Sequence, residues 1–556
     1  MTMFASVLAA LSPLERLVRV LFADDPFRGL YNLNAFDLLV MVPYFTVLSV
    51  LAFYGLHRYR MVYLYHRYRR NRVAAPVPLA DVPAAGCPHV TIQLPVYNEQ
   101  YVVERLIDAV AAMDYPRERL EIQVLDDSTD ETVEIARAAV ERHARAGLTI
   151  RHLHRAERTG YKAGALAAGL KQAQGEFIAI FDADFLPPAD FLRRTLPCFA
   201  DPAVGMVQTR WTYINRHYSL LTEVQAILLD AHFVLEHGGR SRAGLFFNFN
   251  GTAGLWRRAA IEDAGGWEFD TLTEDTDLSY RAQIRGWKFL YLPEVECPSE
   301  LPVDMNAFKT QQARWAKGLI QTAKKTLPRV FRARLPRRVK FEAFYHLTGS
   351  ICYPLMVVLS ALVLPAMIVR FYQGWWEMLW FDLPLFLVAT ASVSTFYLTA
   401  QRELYPQRWR RTFFFLPLLM AVGIGLALRN ARAVLEALWG VESPFVRTPK
   451  YRIEARREAW HTKVYRTADR NLLPWVELGL GGYFVWATLY ALFSENYATV
   501  PFLCLFLWGY SYTGFLSLTQ PYWARLAQWH GPVGWPRHRR GWLRHGRGWR
   551  LPLRSL

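Results

Sequence analysis

Polar side chains follow three short apolar runs of the sequence, at the point where each run ends. The run 90–96 leads into Tyr97-Asn98-Glu99, the run 122–125 into Asp126-Asp127, and the run 177–181 into Asp182-Ala183-Asp184. Residues i and i+2 of an extended segment point the same way, so Asp182 and Asp184 can reach one divalent cation that also holds a diphosphate. Turn and helix-capping chemistry would explain one such strand end alone. Three in succession favour a metal and diphosphate site.

A glycine-containing segment between these acidic sites carries Arg158 and Lys162. Glycines permit close backbone approach, and the two positive charges suit phosphate oxygens. The alternative is an ordinary solvated helix start. The neighbouring acidic strand ends favour phosphate binding.

Two later segments also carry residues that could do chemistry. The first is an apolar, glycine-bearing turn at 247–254, and the second places acids just before a helical pattern at 278–285. Thr273 or Asp275 can simply cap that helix. The functional alternative makes Asp275 a general base, because activation of a sugar hydroxyl needs a positioned carboxylate.

An amphipathic stretch beyond residue 301 contains Gln311-x-x-Arg314-Trp315. Taken alone, it is typical of a snorkelling arginine beside an interfacial tryptophan. Its meaning therefore depends on the other motifs.

The elements that must position these residues alternate between two kinds. From about residue 89 to 302, short β-branched runs (90–94, 122–125 and 177–181) alternate with amphipathic stretches such as 131–146. This pattern predicts an α/β domain with a largely parallel sheet and its ligands at the carboxyl ends of the strands.

Apolar runs on both sides of that domain predict a membrane protein. Five are long enough to span a bilayer, and a run of about 16 residues at 413–428 is shorter than a span and is predicted to lie along the inner face. The predicted spans are 38–56, 347–369, 383–400, 473–493 and 498–518. Arg-rich segments after the first span place the α/β domain in the cytosol.

Composition narrows the function class. The chain has 556 residues and a net charge of +17, and 52% of its residues are hydrophobic and 15% aromatic. The apolar and aromatic content excludes a disordered or collagen-like chain. The excess charge lies beside the apolar runs, so we expect membrane lipids rather than nucleic acid as its partner. We expect Pro328 and Pro336 to break the basic stretch into separate helices, and the five scattered cysteines to be buried thiols.

The ordered set of motifs resembles the processive family 2 glycosyltransferases, which include cellulose, hyaluronan and chitin synthases. The stretches Phe-Asn-Gly-Thr-Ala-Gly and Thr-Glu-Asp-Thr-Asp-Leu-Ser-Tyr-Arg look most like the mannan and glucomannan synthase branch of cellulose-synthase-like enzymes and its bacterial relatives. The resemblance covers roughly residues 89–450. Its end is similar to a gating loop that closes over the nucleotide, although Arg447 stands where that loop usually has Val.

The resemblance implies a GT-A-type α/β domain joined to a helical transmembrane bundle, with Mg²⁺ or Mn²⁺ as cofactor. It implies a role for each matching residue. These are Asp275 as base; Asp126, Asp127, Arg158, Lys162, Asp182, Gln311 and Arg314 for the donor nucleotide and diphosphate; Asp182 and Asp184 for the metal; Asn250, Gly251, Thr252, Glu274 and Trp315 for the acceptor; and Phe445, Arg447, Thr448 and Lys450 for the gating loop.

The implied domain organisation follows the same order along the chain. The segments are 1–37 N-terminal, 38–56 first span, 57–87 basic linker, 88–302 catalytic domain, 303–346 interface helices, 347–400 spans two and three, 401–470 interface helix and gating loop, 471–519 spans four and five, and 520–556 basic aromatic tail. A growing chain leaving the acceptor site would pass between the spans. Glu477, near the start of a span, either lines that path, makes a helix contact or faces water.

The implied function is an inverting transfer from UDP-glucose or GDP-mannose to a β-linked, β-1,4 polysaccharide that is secreted across the cell inner membrane. The partners are the nucleotide-sugar donor, the growing polysaccharide and membrane lipids. Two alternatives stay open: a ceramide-type lipid glycosyltransferase that adds one sugar, and an inactive nucleotide-sugar-binding component of an envelope complex.

Overall fold

The computed structural model describes residues 34–71, 86–373, 379–455, 458–460, 463, 465 and 472–529. The N-terminal residues 1–33, residues 72–85 of the basic linker and the tail beyond 529 lie outside the described residues. The strands are β1 Val90–Val96, β2 Leu120–Asp126, β3 Thr149–His154, β4 Phe177–Ile180, β5 Val204–Tyr213, β6 Gly254–Arg257 and β7 Lys288–Ser299.

The helices of the α/β domain connect these strands. They are α1 Ala35–Arg67, which precedes the domain, and α2 Val103–Ala111, α3 Thr132–Arg145, α4 Tyr161–Gln172, α5 Phe191–Thr195, α6 Leu220–Ala231, α7 Gly238–Arg242, α8 Arg258–Asp263 and α9 Glu274–Ile284. A π-helical turn, His232–His237, joins α6 to α7.

The strands form one seven-stranded sheet in the order β3-β2-β1-β4-β6-β5-β7. All of its neighbouring pairs are parallel except those of β6, which runs antiparallel to β4 and to β5. The prediction of a largely parallel sheet is therefore confirmed. Because β1, β2 and β4 run parallel side by side, the ends that carry the polar residues lie at one edge.

Helices cover both faces of the sheet, which explains why its central strands are continuously apolar. The adjacent residues Ile178 and Ala179 of β4 belong to two different buried clusters. Successive side chains of a strand point to opposite faces. A parallel sheet that is buried on both sides gives this pattern.

The remaining helices follow the sheet. They are α10 Met305–Arg332, α11 Arg337–Thr348, α12 Cys352–Gln373, α13 Leu379–Leu404, α14 Thr412–Gly425, α15 Ala427–Trp439, α16 Leu473–Phe493 and α17 Val500–Trp529. Pro328 lies inside α10, so the expectation that it ends a helix is wrong. Pro336 does precede a new helix, α11, as its N-cap residue.

Four helical segments of the described residues are long and apolar enough to cross a membrane: Ala35–Arg67, Arg337–Phe371, Leu473–Phe493 and Tyr497–Tyr522. They agree with four of the five predicted spans. The fifth, 383–400, coincides with α13, which is not one of the four, and it stays a prediction. These lengths and hydropathies are those of an integral membrane protein.

The predicted interface helix 413–428 coincides with a bent pair of helices. The segment Trp409–Gly425 meets Ala427–Trp439 at an angle of 42°, and the two together are apolar and long enough for a broken span or a re-entrant loop. With this pair the described residues contain up to five spans. The position of the pair on the inner face stays a prediction.

The expectation that all five cysteines are buried needs correction, and the structure distinguishes between the interpretations of Glu477. Cys87, Cys198 and Cys297 are buried, but Cys352 is only partly buried and Cys504 is exposed, because both lie on apolar helices rather than in the sheet domain. Glu477 does not face water: its side chain is fully buried and its carboxylate lies 2.6 Å from Lys309 Nζ of α10. Of the three interpretations of Glu477, the helix contact is the one observed.

Candidate active site

The two aspartates after β2 are held by side chains from β3 and the loop that follows it. His152 Nε2 lies 2.8 Å from Asp126 Oδ2, and the Arg155 guanidinium binds both oxygens of Asp127, at 2.7 and 2.6 Å. Burial alone would raise the pKa of Asp126, but the hydrogen bonds from His152 and Ser128 lower it below its ordinary value. Asp126 is therefore an ionised, pre-oriented acceptor of hydrogen bonds.

His152 and Arg155 were not among the predicted site residues. Their position could have indicated them, because both lie at the carboxyl end of a parallel strand, as the predicted aspartates do. The polar sequence of β3 hides that strand from a search for apolar runs.

The two aspartates after β4 are each paired with a lysine. Lys162 Nζ lies 2.5 Å from Asp182 Oδ1, and Lys450 Nζ lies 2.6 Å from Asp184 Oδ2. Burial lowers the pKa of Lys162, but Asp182 and Glu274 raise it above the ordinary lysine value. The backbone N–H of Asp182 donates to Thr252 Oγ1 over 2.8 Å, which fixes the end of β4 against the turn at 247–254.

Asp182 and Asp184 offer the ligand chemistry that a Mg²⁺ or Mn²⁺ ion needs. Such ions are commonly held by one or two carboxylates together with substrate phosphates. The two lysines on these carboxylates mark the site as one that holds positive charge. Asp182 and Asp184 therefore fit the metal that the resemblance implies.

Another group of carboxylates also has the spacing of a metal site, but a lysine binds all three of its members. Glu268, Asp270 and Asp277 have oxygens within 4.8 Å of one another, the one such group of three among the described residues. Lys325 Nζ donates to all three, at 2.7 Å to Asp270 and 3.0 Å to Asp277. We assign this group to the attachment of α10 to the start of α9.

Asp275 lies in the first turn of α9, directly against the turn at 247–254. A Cβ atom added to Gly251 would lie 3.0 Å from Asp275 Oδ2, and Gly251 has a φ of +81°. Ser279 Oγ accepts a hydrogen bond from Phe249 N at 2.9 Å and donates one to the carbonyl of Asp275 at 2.6 Å. The turn and the helix are thus one hydrogen-bonded unit.

The environment of Asp275 makes it a weak acid. Burial, and then the neighbouring Glu274 carboxylate, raise the pKa of Asp275 to about 7. Glu274 has a raised pKa for the same first reason, burial. A carboxylate with a pKa near 7 is matched to proton transfer at neutral pH.

Thr273 does not cap α9: its side chain makes no capping hydrogen bond, and its Oγ1 lies 3.1 Å from Thr322 Oγ1 of α10.

An aromatic side chain lies between the two arginines that the family resemblance assigns to the donor. The guanidinium carbon of Arg314 is 4.3 Å from the centre of the Phe445 ring, and that of Arg158 is 5.8 Å from the same centre. Arg158 also stacks on Tyr97 at 3.5 Å, and Arg314 Nη1 donates to Val446 O at 3.4 Å. The predicted gating-loop segment thus contacts the site.

The rest of that segment continues across the strand ends. Arg447 Nη1 lies 4.0 Å from a Glu99 oxygen, and Thr448 and Lys450 are buried. Glu300 fixes the backbone that follows by accepting hydrogen bonds from Tyr451 N and Arg452 N, each at 2.9 Å. Burial raises the pKa of Glu99 to about 7 despite the charge of Arg447.

The structure therefore brings most of the predicted site residues together. Lys162 Nζ donates to Gly251 O at 2.9 Å, so the phosphate-side lysine and the turn beside Asp275 are in direct contact. Gln311 and Trp315 flank Arg314 on α10 and are partly buried. Among the described residues they make no hydrogen bond to this group, and their roles stay predictions.

Comparison with known proteins gives the same assignment for the domain. Residues 88–318 match the family described as "Glycosyltransferase like family 2". The chain is 44% identical over 262 residues to Glucomannan 4-beta-mannosyltransferase 2 of Arabidopsis thaliana, which is 46% of this chain and 49% of that protein. It is 43% identical over 271 residues to Glucomannan 4-beta-mannosyltransferase 1 of Oryza sativa subsp. japonica, 48% of this chain and 52% of that protein.

The chain thus spans about half the length of the curated relatives it matches. Among solved structures, a mannosyltransferase from Pyrobaculum calidifontis in complex with GDP-Man and Mn²⁺ aligns with 71% of this chain and 99% of its own, at 23% identity and a TM-score of 0.49. The predicted fold class, a GT-A-type α/β domain with several long apolar helices, is confirmed. Residues 88–318 thus match a family 2 glycosyltransferase model, and the chain is similar over about half its length to glucomannan mannosyltransferases, in agreement with the motifs.

Proposed function

We propose that the protein is a membrane-integrated, inverting hexosyltransferase that builds a β-1,4-linked polysaccharide from GDP-mannose or UDP-glucose and secretes it. The observation that carries this proposal is the meeting of Lys162 and Asp275 at Gly251. Its carbonyl accepts from Lys162, which also binds Asp182, and its α-carbon faces Asp275. A phosphate-side cation and a base of pKa about 7 thus contact one residue.

The donor would lie across the carboxyl edge of the sheet. Asp126 and Asp127 would contact the nucleoside, and Arg158, Lys162 and Arg314 the diphosphate. A Mg²⁺ or Mn²⁺ ion on Asp182 and Asp184 would supply positive charge to the leaving diphosphate. Lys450 and Phe445 would move aside when the donor binds, because they contact the same carboxylate and arginines.

Asp275 would remove the proton of the acceptor hydroxyl as that oxygen attacks the sugar. Arg314, partly buried and close to the charges of Glu274, Asp182 and Asp275, would neutralise charge on the leaving group. No carboxylate needs to form a covalent intermediate in this single displacement, so the product is β-linked if the donor is α-linked. Trp315 would stack under the terminal acceptor sugar.

The path of the product is proposed from the packing of α10 on the spans. Asn306 Nδ2 donates to Ser517 O at 3.0 Å and Met305 N to Gln520 Oε1 at 2.8 Å, so the helix that carries Arg314 and Trp315 begins against α17. An acceptor on Trp315 would therefore be next to the transmembrane bundle. The catalytic domain would lie in the cytosol, beneath the cell inner membrane.

The test is a donor panel with product analysis. Purified protein in detergent or nanodiscs is incubated with Mn²⁺ or Mg²⁺ and radiolabelled GDP-mannose, UDP-glucose, UDP-GlcNAc or UDP-glucuronate, and the product is sized and its linkage determined. A polymer that a β-1,4-mannanase or cellulase degrades supports the proposal. A single glycolipid would replace it with a lipid glycosyltransferase, and no turnover of any donor would favour a binding-only component.

A further inference from the structure

A π-helical turn packs against the turn that carries Asn250. His232 Nε2 of this π-helical turn lies 2.9 Å from Asn250 Nδ2, and His237 Nε2 lies 2.9 Å from Asn248 O. Isolated π-helical turns are rare and are frequent at functional sites. Here one such turn contacts two asparagines, one on each side of Phe249.

Glu236 determines which nitrogen of His232 carries the proton. Its Oε2 atom lies 2.7 Å from His232 Nδ1. Burial would raise the pKa of Glu236, but the hydrogen bond from His232 and the charge of Arg240 hold it well below its ordinary value. An ionised carboxylate only accepts, so His232 Nδ1 donates to Glu236. The Asn250 NH₂ group only donates, so His232 Nε2, 2.9 Å from Asn250 Nδ2, accepts from it.

The amide of Asn250 therefore has a fixed orientation, with its NH₂ group on the histidine. Its Oδ1 atom is buried and has no hydrogen-bond partner among the described residues. Buried polar atoms are nearly always hydrogen-bonded, by protein, water or ligand. Gly251, the next residue, lies against Asp275, because a Cβ added to it would be 3.0 Å from Asp275 Oδ2, so Asn250 belongs to the turn beside the proposed base.

The His232–Glu236 pair is connected to the membrane helices through Arg240. Arg240 lies 3.7 Å from Glu236 Oε2 and donates to Glu342 of α11 at 3.1 Å. Glu342 also contacts His57 of α1 at 3.1 Å. The position of Glu236 is thus fixed relative to two helices of the membrane part.

We propose that His232, oriented by Glu236, is a positioning residue that holds the Asn250 amide so that Oδ1 accepts a hydrogen bond from a hydroxyl of the acceptor sugar. The inference rests on the proposed function, because it requires a carbohydrate acceptor beside Asp275. It concerns acceptor binding alone. Donor binding depends on residues that His232 does not contact.

The test measures initial rates of the full-length protein in detergent, with β-1,4-linked manno-oligosaccharides as the acceptor probe and the donor identified by the panel. For His232→Ala we expect the acceptor KM to rise roughly tenfold, the usual cost of losing a partner of a buried polar group, with the donor KM unchanged. His232→Gln should bring the acceptor KM most of the way back to the wild-type value, because its Oε1 can accept from Asn250 Nδ2.

The matched control is His143→Ala, which removes a histidine of α3 that pairs with Asp108 of α2.

A double-mutant comparison separates positioning from a general structural role. Asn250→Ala should raise the acceptor KM by a similar factor, and His232→Ala added to it should raise the KM no further. An unchanged acceptor KM in His232→Ala, an equal rise in the donor KM, or additive effects in the double variant would each overturn the inference. Absence of transfer by the wild-type protein would instead overturn the proposed function, and this inference with it.

Discussion

Lys450 Nζ lies 2.6 Å from Asp184 Oδ2, although 266 residues separate them in the sequence. Lys450 follows α15, whereas Asp184 follows β4 of the sheet. The segment after α15 therefore reaches the carboxylate that we propose as a metal ligand. Lys450 also donates to the carbonyl of Glu300 at 3.1 Å, so its ammonium is held in this position.

We expect Lys450→Met to lower the Mn²⁺ concentration needed for half-maximal donor binding by roughly three- to tenfold, because the ammonium and the cation compete for Asp184. The measurement is a Mn²⁺ titration of donor binding. Lys288→Met, which removes an exposed lysine paired with Asp201, is the matched control and should leave the titration unchanged. An identical titration for Lys450→Met would show that no such competition exists.

Asp275→Asn should abolish transfer while donor binding persists. Loss of a general base typically costs about 10²- to 10⁴-fold in rate, and an amide of the same shape keeps the packing of the site. Transfer is measured as incorporated label and donor binding by calorimetry. The control is Asp263→Asn at the surface, which contacts Arg285 and Trp287. Transfer at the wild-type rate by Asp275→Asn would remove this residue from the base role.

The rate of transfer at saturating substrate should depend on pH with a midpoint near 7. A base must be deprotonated to accept a proton, and the pKa of Asp275 is raised to about 7, so the rate should fall about tenfold per pH unit below that value. Glu99 also has a pKa of about 7, and Glu99→Gln identifies which group is responsible. A profile that loses its acid limb in Glu99→Gln would contradict the assignment to Asp275.

Removing one member of the buried ion pair between Lys309 and Glu477 should destabilise the protein more than removing both. Both side chains are at most 1% exposed, and Lys309 Nζ also lies 3.1 Å from Ser517 Oγ. Glu477→Leu leaves a buried charge and should destabilise the protein by about 3 to 5 kcal/mol, whereas Lys309→Met with Glu477→Leu should recover most of this loss. Thermal unfolding in detergent measures both.

An exposed ion pair provides the comparison for that experiment. Arg137 and Glu134 lie 2.8 Å apart on α3 with both side chains at least half exposed, and Glu134→Leu should cost less than about 1 kcal/mol. If Glu477→Leu were no less stable than the double variant, the pair would not hold α10 to α16.

The strand ends were predictable because their signal is local. Asp182, Asp184, Asp126 and Asp127 follow apolar runs that the sequence displays directly, and parallel neighbours bring such ends to one edge. Lys450 on Asp184 was not predictable as a contact, because nothing near either residue specifies its partner across 266 positions. The same applies to Glu477, where hydropathy marked the span but not the lysine of another helix that pairs with it.

The rule that proline ends a helix gave a wrong prediction for α10, because tertiary packing stabilises the residues after Pro328. Proline usually ends a helix, yet α10 continues four residues beyond Pro328 to Arg332. The neighbouring Val330 is fully buried, in one cluster with Ala343 and Leu347 of α11. Packing of this last turn compensates for the hydrogen bond that proline cannot donate.

Gly251→Ala should reduce transfer more than it reduces stability. Gly251 has a φ of +81°, and a Cβ there would lie 3.0 Å from Asp275 Oδ2 and 3.4 Å from Lys162 Nζ. The methyl group must displace the base or the lysine, and a misplacement of about 1 Å can cost roughly 100-fold in rate. Gly266 has a φ of +77° with nothing within 4 Å of its added Cβ, so Gly266→Ala carries the backbone strain without the contact.

The two alanine variants thus share a cost of about 1 kcal/mol from the left-handed backbone and differ in their effect on Asp275. Unfolding midpoints and transfer rates are measured side by side. We expect similar midpoints for both variants and a rate that falls only in Gly251→Ala. Equal rates would mean that Asp275 tolerates the methyl group, in which case the close contact with Gly251 does not fix the position of the base.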